Sequence, residues 1–416
     1  MTDREMHPDL APWSDHSQKS ARLMTPFLDE LDNNYWLNNA KDFVEQQLKK
    51  TPNTKKAKNI ILFLGDGMSI PTIAATRVYI GGESKKMSFE EFPFTAMSKT
   101  YCVDKQVADS ACTSTAYLSG VKANDATIGL NARATRTNCN DQVNPNMMTE
   151  SIASWALKAG KDAGFVTTTR VTHASPTGVY GHIADREWEN DAMVSIDGCN
   201  PTTTDDIAEQ LIYGTVGKQL KVVFGGGAKH FIHDKLTAHG SPGARTDGKD
   251  LFNEWKQMNS SRTFVDNKGA LLALDPKTVQ QVMGIFESDH IKYNLDIQKE
   301  NLQNEKPSLA DMTVKAIEIL SQKPEGFFLF VEGGRIDHGH HKNNAKYAID
   351  ETAEFSKAIA AAKKIVSDDD TLIVVTADHG HVMTLAGYGD RGNDIFGTGG
   401  KGSDNIPYMT LSYANG

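Results

Sequence analysis

An α/β fold with buried parallel strands is what this sequence predicts, and three observations predict it. Short continuous apolar runs alternate with stretches of helical periodicity. Three of those runs, Ile60–Leu64, Phe327–Val331 and Thr371–Thr376 (the last apolar between its two terminal threonines), read as strands buried on both faces. Each run then stops at a glycine-containing turn with an acidic residue: Gly65-Asp66-Gly67, Glu332-Gly333-Gly334 and Asp378-His379-Gly380. Ligands of open parallel sheets bind beyond the carboxyl ends of the strands. The three runs therefore place Asp66, Glu332 and Asp378 on one rim, although they are far apart in the chain.

Along the chain, residues 1 to about 33 are polar, with scattered apolar positions, and read as an N-terminal extension. From Asn34 to Lys50, Trp36, Ala40, Phe43, Val44 and Leu48 recur at helical spacing, and a Lys/Asn/Thr-rich linker runs to Lys58. A helix over 71–79 follows the first strand. From Ser110 a helix of small residues runs toward Gly120. Further helices are predicted over 148–159, 205–213, 309–321 and 345–366, and further strands over 164–169, 220–224 and 405–413. The polar, irregular stretch from His230 to Asp296 reads as an excursion from the sheet.

Composition narrows the function. The 416 residues carry 44 Lys and Arg against 53 Asp and Glu, a net charge of −9. That balance gives no basic footprint for a nucleic-acid surface. No run of 18 apolar residues suits a membrane-spanning helix. Met1 to Asp15 has no apolar signal core, and the C-terminus has no tail for a lipid anchor. The expectation is an intracellular protein, or else a processed or incomplete chain. The cysteines Cys102, Cys112, Cys139 and Cys199 form no CxxC pair, which leaves one or two bridges open in an oxidising compartment. Asn259-Ser260-Ser261 is a glycosylation acceptor only in a secreted protein.

The chemistry-bearing residues cluster. Glu332, Asp337, His338, His340 and His341 put five possible ligands into ten residues. Asp337 and His341, four apart, share a helix face and can grip one ion. Asp378, His379 and His381 repeat the chemistry on another strand. Oxygen and imidazole donors without thiolate suit zinc, magnesium or manganese. The lone histidines His230, His233, His239 and His290 read as surface residues. Ser110, in the first turn of its helix, meets free N–H groups and the positive end of the dipole. The plainer alternative is that Asp109 or Ser110 only caps the helix. Arg186 carries a fork suited to phosphoryl oxygens, or else a surface pair with Asp185 or Glu187. His173 and Ser175, after the 164–169 strand, can line the same rim.

These segments resemble alkaline phosphatases, the animal type more closely than the enteric bacterial type. The matching motifs are NIILFLGDGMS from Asn59, VADSACTSTAYLSGVKAN from Val107, TRVTHASPTGVYGHIADREW from Thr169, FLFVEGGRIDHGHH from Phe328 and TADHGHV from Thr376. The resemblance runs from about Asn34 to the end. It implies a central, mostly parallel sheet flanked by helices on both faces. It also implies metal-dependent hydrolysis of phosphate monoesters through a phosphoserine. In that reading Ser110 is the nucleophile and Arg186 the phosphate clamp. Asp66 bridges one zinc and a magnesium, Asp378 and His379 complete the first zinc site, and Asp337 and His341 hold the second zinc. Ser175 and Glu332 hold the magnesium, with His173 just beyond it, and His381 lies near the zinc site. Cys139 and Cys199 match a family disulfide, while Cys102 and Cys112 have no assigned counterpart. A homodimer reached by the Asn34–Lys50 helix and an extracellular or cell-surface setting are also implied.

Three departures stand out. Ser114 occupies a position where the family motif has Ala or Gly. Animal members carry a structural calcium site; Phe286 and Glu287 fit part of it, but Lys306 stands near where an aspartate is expected, which speaks against bound calcium. The family's third zinc-binding histidine lies after the TADHGH segment, whereas His381 is the last of 13 histidines here. The expectation is a catalytic domain over 59–416 that lacks its C-terminal part, with a sheet edge and apolar surface left exposed. Two rival readings remain: a phosphodiesterase or phosphomutase of the same superfamily, separable by activity on bis-phenyl against mono-phenyl phosphate, and an inactive metal-binding structural or interaction protein, separable by absence of turnover despite bound zinc.

Overall fold

Residues 25–414 are described in the computed structural model of the chain. The N-terminal extension predicted for 1–33 lies mostly outside them; its described part is the short 3-10 helix Thr25–Leu31. Thirteen strands run in chain order among the described residues. β1 is Asn59–Gly65, β2 Asp162–Arg170 and β3 Val222–Gly226, followed by the two-residue strands β4 (Thr237–Ala238) and β5 (Ser241–Pro242). β6 is Arg262–Val265, β7 Gln281–Ile285, β8 Phe327–Gly333 and β9 Thr371–Thr376. β10 (Met383–Leu385), β11 (Thr398–Lys401), β12 (Pro407–Met409) and β13 (Leu411–Tyr413) complete the set.

Seven strands form one parallel sheet in the order β6-β7-β3-β2-β8-β1-β9. β1 lies between β8 and β9, with Leu64 opposite both Glu332 and Thr376. The three acid-bearing strand ends are therefore neighbours in space. Alternation explains why the central strands are apolar throughout. Ile61 and Phe63 of β1, with Leu329 and Val331 of β8, enter one core; Leu62 and Leu64, with Phe328 and Phe330, enter the core on the opposite face. Helices Leu309–Leu320 and Ala345–Ile365 cover the first face through Met312, Ile319, Phe355 and Ile359. Helices Ser110–Ser119, Ile152–Lys158 and Ile207–Tyr213 cover the other through Ala111, Leu118, Ala153 and Leu211.

Four expectations are corrected. The stretch from His230 to Asp296 is not wholly an excursion, because it contributes β6 and β7 to the main sheet. Residues 405–413 form β12 and β13, which pair with β11 and β10 in separate two-stranded ladders rather than in that sheet. β9 is an edge strand, and its outer face leaves Leu372 and Val374 exposed instead of buried. His230 is buried, bonded to Asn190 at 2.8 Å and facing Glu189 at 3.3 Å.

The helix Asn33–Lys49 is capped by Asp32, whose carboxylate accepts from Asn34 N–H at 2.8 Å. None of its residues is buried, and Trp36, Leu37, Phe43 and Leu48 are exposed. No described helix is long and apolar enough to cross a membrane.

Candidate active site

Asp66 leaves β1 fully buried at the centre of the rim. The next residue, Gly67, has φ +67°, and a Cβ there would lie 2.7 Å from His381 Cδ2 and 3.0 Å from the Asp337 backbone. Only a residue without a side chain lets this turn approach so closely. Gly67 N–H and His379 N–H both donate to Asp378 Oδ1, at 3.1 and 2.8 Å, which fixes that carboxylate beside Asp66. Thr113 donates to the other oxygen at 3.3 Å.

Ser110 opens its helix and is 3% exposed. Its Oγ lies 3.3 Å from Asp66 Oδ1 and 3.3 Å from His379 Nε2. Asp109 caps the helix by accepting from Cys112 N–H at 3.0 Å, so Ser110 is free of capping duty. The other carboxylate oxygen of Asp109 receives Arg186 Nη1 at 3.0 Å. Arg186 Nη2 stands 3.2 Å from His173 Nε2, and Glu187 is only a distant partner at 3.8 Å. Asp185 pairs instead with Arg136 at 2.7 Å. Burial works against the charge on Arg186, but Asp109 more than offsets it and holds the guanidinium protonated.

Three groups of possible ligand atoms come together: Asp66, Asp378 and His379; Asp66, His173 and Glu332; and Asp337, His379 and His381. Ser175 Oγ donates to Asp66 Oδ2 at 3.4 Å. Glu332 accepts from Thr167 at 2.5 Å and Thr169 at 3.2 Å, while its Oε1 is buried without a hydrogen-bond partner. Asp337 and His341 share one face of the helix Arg335–His341, with His341 Nε2 3.4 Å from Asp337 Oδ2. His381 Nε2 sits nearer, 2.5 Å from Asp337 Oδ1.

The electrostatics call for cations. Burial, then the charges of Asp378, Asp337 and Glu332, pushes the Asp66 carboxyl far above its usual range. Glu332 is pushed up to about 7, first by burial, against the hydrogen bonds from Thr167 and Thr169. Burial opposes ionisation of Asp337 as well, but the His381 hydrogen bond and the neighbouring imidazoles hold it low. Four converging carboxylates and an orphaned carboxylate oxygen fit hard divalent cations, and the imidazoles extend that fit to zinc.

Several neighbours escape a reading of the sequence. His290 is no surface residue: its ring lies 5.3 Å from His173 and 4.3 Å from His338. Arg170 joins this group, reaching His290 Nε2 at 2.5 Å, Glu189 at 2.6 Å and Asp289 at 2.8 Å. The available signal was Asp289-His290 just past an apolar run, the same pattern as Asp378-His379. Cys139 and Cys199 form a disulfide, and so do Cys102 and Cys112, which tethers the first turn of the Ser110 helix to the preceding loop.

The alkaline phosphatase family profile matches residues 57–416. The chain is 43% identical to the membrane-bound alkaline phosphatase of Bombyx mori over 403 residues, spanning 93% of this chain and 72% of that protein. It is 44% identical to the tissue-nonspecific isozyme of Rattus norvegicus over 409 residues, spanning 93% and 76%. Among solved structures, alkaline phosphatase from the Antarctic bacterium TAB5 superposes with a TM-score of 0.63 at 23% identity, over 87% of this chain and 88% of that one. That last likeness speaks for the fold.

Proposed function

The chain belongs to the alkaline phosphatase family, and from that premise we propose that Ser110 is the nucleophile of a two-step hydrolysis. Metal-dependent hydrolysis of phosphate monoesters is the activity that membership and the buried ligand clusters carry. The observation that carries the finer reading is the placement of Ser110 Oγ, buried at a helix N-terminus, 3.3 Å from Asp66 and from His379.

Asp66, Asp378 and His379 would hold one zinc, Asp337 and His341 a second, and Asp66, Ser175 and Glu332 a magnesium. Such cations supply charge stabilisation to the entering and leaving oxygens of an in-line displacement. Ser110 Oγ forms a bond to phosphorus as the ester P–O bond breaks, and the released alkoxide is protonated to the alcohol. Water then attacks the phosphoserine, its P–O bond to Ser110 breaks, and Oγ regains a proton. Arg186 binds two non-bridging oxygens with its fork, and Asp109 aims it. His173 backs the same guanidinium, and burial and the charge of Arg186 keep its imidazole neutral, able to accept. His381 orients the Asp337 carboxylate.

Because contacts centre on the phosphoryl group, the alcohol is read loosely. Comparing phenyl phosphate with bis-phenyl phosphate tests this: the monoester turns over and the diester lags by orders of magnitude. Equal rates would move the chain to the phosphodiesterase reading. Arg186→Ala lowers kcat/KM for the monoester by about 100-fold, as loss of one strong transition-state donor set does. An unchanged kcat/KM would remove Arg186 from the site.

Two disulfides are held by chains that mature in oxidising compartments, which supports an extracellular or cell-surface setting. The exposed Trp36, Phe43 and Leu48 of the helix Asn33–Lys49 suit the arm of a homodimer.

A further inference from the structure

The residues expected to hold calcium do not fit it, because a lysine fills the place. Lys306 Nζ donates to the Phe286 carbonyl at 2.7 Å and pairs with Glu287 Oε1 at 2.9 Å. Both side chains are largely withdrawn from solvent, at 14% and 13% exposure. A backbone carbonyl and a carboxylate converging on one point is the donor chemistry of a hard cation site. Here the positive charge at that point is an ammonium attached to the chain. A divalent ion would have to displace it or sit against it, at a repulsive cost that two oxygens do not repay.

We infer that Lys306 is a tethered replacement for a structural divalent cation, and that it pins the loop leaving β7 so that Asp289 and His290 reach the active-site rim. The Lys306 end is itself anchored: its N–H donates to Leu302 O at 2.9 Å, and Ser308 starts a capped helix two residues later. The loop end is equally fixed, since Glu287 O accepts from Gly227 and Ala228 N–H at 3.1 Å each, and Asp289 O accepts from Gly227 at 2.8 Å. Beyond it, Asp289 meets Arg170 at 2.8 Å, and the His290 ring stacks edgewise on His173. Lys306 therefore acts at a distance, by holding a loop, and touches no reacting group.

The idea is tested on wild type, Lys306→Asp and Lys306→Met, each loaded with zinc and magnesium and dialysed free of calcium. Tm and calcium per chain are read without and with about 1 mM Ca²⁺, a level that suits an extracellular oxygen site. Wild type takes up no calcium in excess of its other metal sites and shifts by less than about 1 °C. Lys306→Met falls by roughly 4 °C and does not recover with calcium. Lys306→Asp falls similarly, gains about one calcium relative to wild type, and recovers most of the loss. A wild-type chain that binds a calcium lost in neither variant and rises in Tm overturns the inference. So does a Met variant as stable as wild type, or an Asp variant that calcium does not rescue. If the Asp variant does not fold, the Met variant and the wild-type calcium titration still decide.

Discussion

Ser110→Ala lowers monoester turnover by about 10⁴-fold or more while leaving Tm and bound metal unchanged. The size follows from the proposed role of one atom: in that reaction Oγ forms the bond to phosphorus, and the remaining site can only bind and polarise. The silence in stability follows from the helix cap, which belongs to Asp109 and not to Ser110. Ser110 Oγ makes two long contacts of 3.3 Å, so removing it orphans no tightly bonded partner. Acid-quenched enzyme incubated with labelled phosphate carries label on wild type and none on the variant. A Ser110→Ala enzyme that keeps a tenth of the rate, or that still traps label, would place the nucleophile elsewhere.

The parts of this site that the sequence discloses are those with a local signature. β1 and β8 are legible because both their faces are buried, which leaves no polar alternation to confuse them. Asp337 and His341 are legible because helical spacing alone puts them on one face. β6 and β7 are not legible. β6 is a four-residue edge strand, mostly half-buried, and the preceding polar loops hide its pairing. The helix predicted from 148 starts only at Ile152, because Ser151 caps it by accepting from Ser154 N–H. His290 left only a local trace, Asp289-His290 past an apolar run, and its surroundings were hidden for a different reason. Its partners Arg170, His173 and His338 come from the ends of β2 and β8, and sheet order is not written in any one segment. The Cys102–Cys112 pairing likewise depends on where the loop returns to the helix.

Removing the divalent cations abolishes turnover and also reverses the usual effect of raising the pH on a folded chain. Glu332 has an ordinary value of 4.5 and is pushed up to about 7 when buried without cations. Below about 4.5 it is protonated both folded and unfolded, and it costs nothing. As pH rises from 4.5 toward 7 the unfolded chain releases this proton and the folded chain keeps it, so stability falls. Above 7 the loss is complete, at roughly 3 kcal/mol for this one fully buried group. Asp66, raised further by burial and by its three acidic neighbours, adds to the same trend. His379 adds to it too: burial opposes its charge, but Asp378 and Asp337 raise it, and the stability it contributes is present at low pH and lost as pH rises through its folded value. Asp337, held low, acts oppositely, but its contribution is already complete above its ordinary value of 3.8 and is lost only in stronger acid. Below about pH 6.5 this decline is opposed by His173, His230, His290, His338 and His340, which burial keeps neutral in the folded chain while the unfolded chain protonates them. Urea unfolding of chelator-stripped protein therefore gives a falling series in the window from about pH 6.5 to 8, where those imidazoles are neutral in both states. With zinc and magnesium restored, cation charge keeps these carboxylates ionised and the decline disappears. A stripped protein whose stability is flat or rising across that window would mean that the carboxylates are not packed against one another as described, and turnover surviving the chelator would remove metal from the reaction.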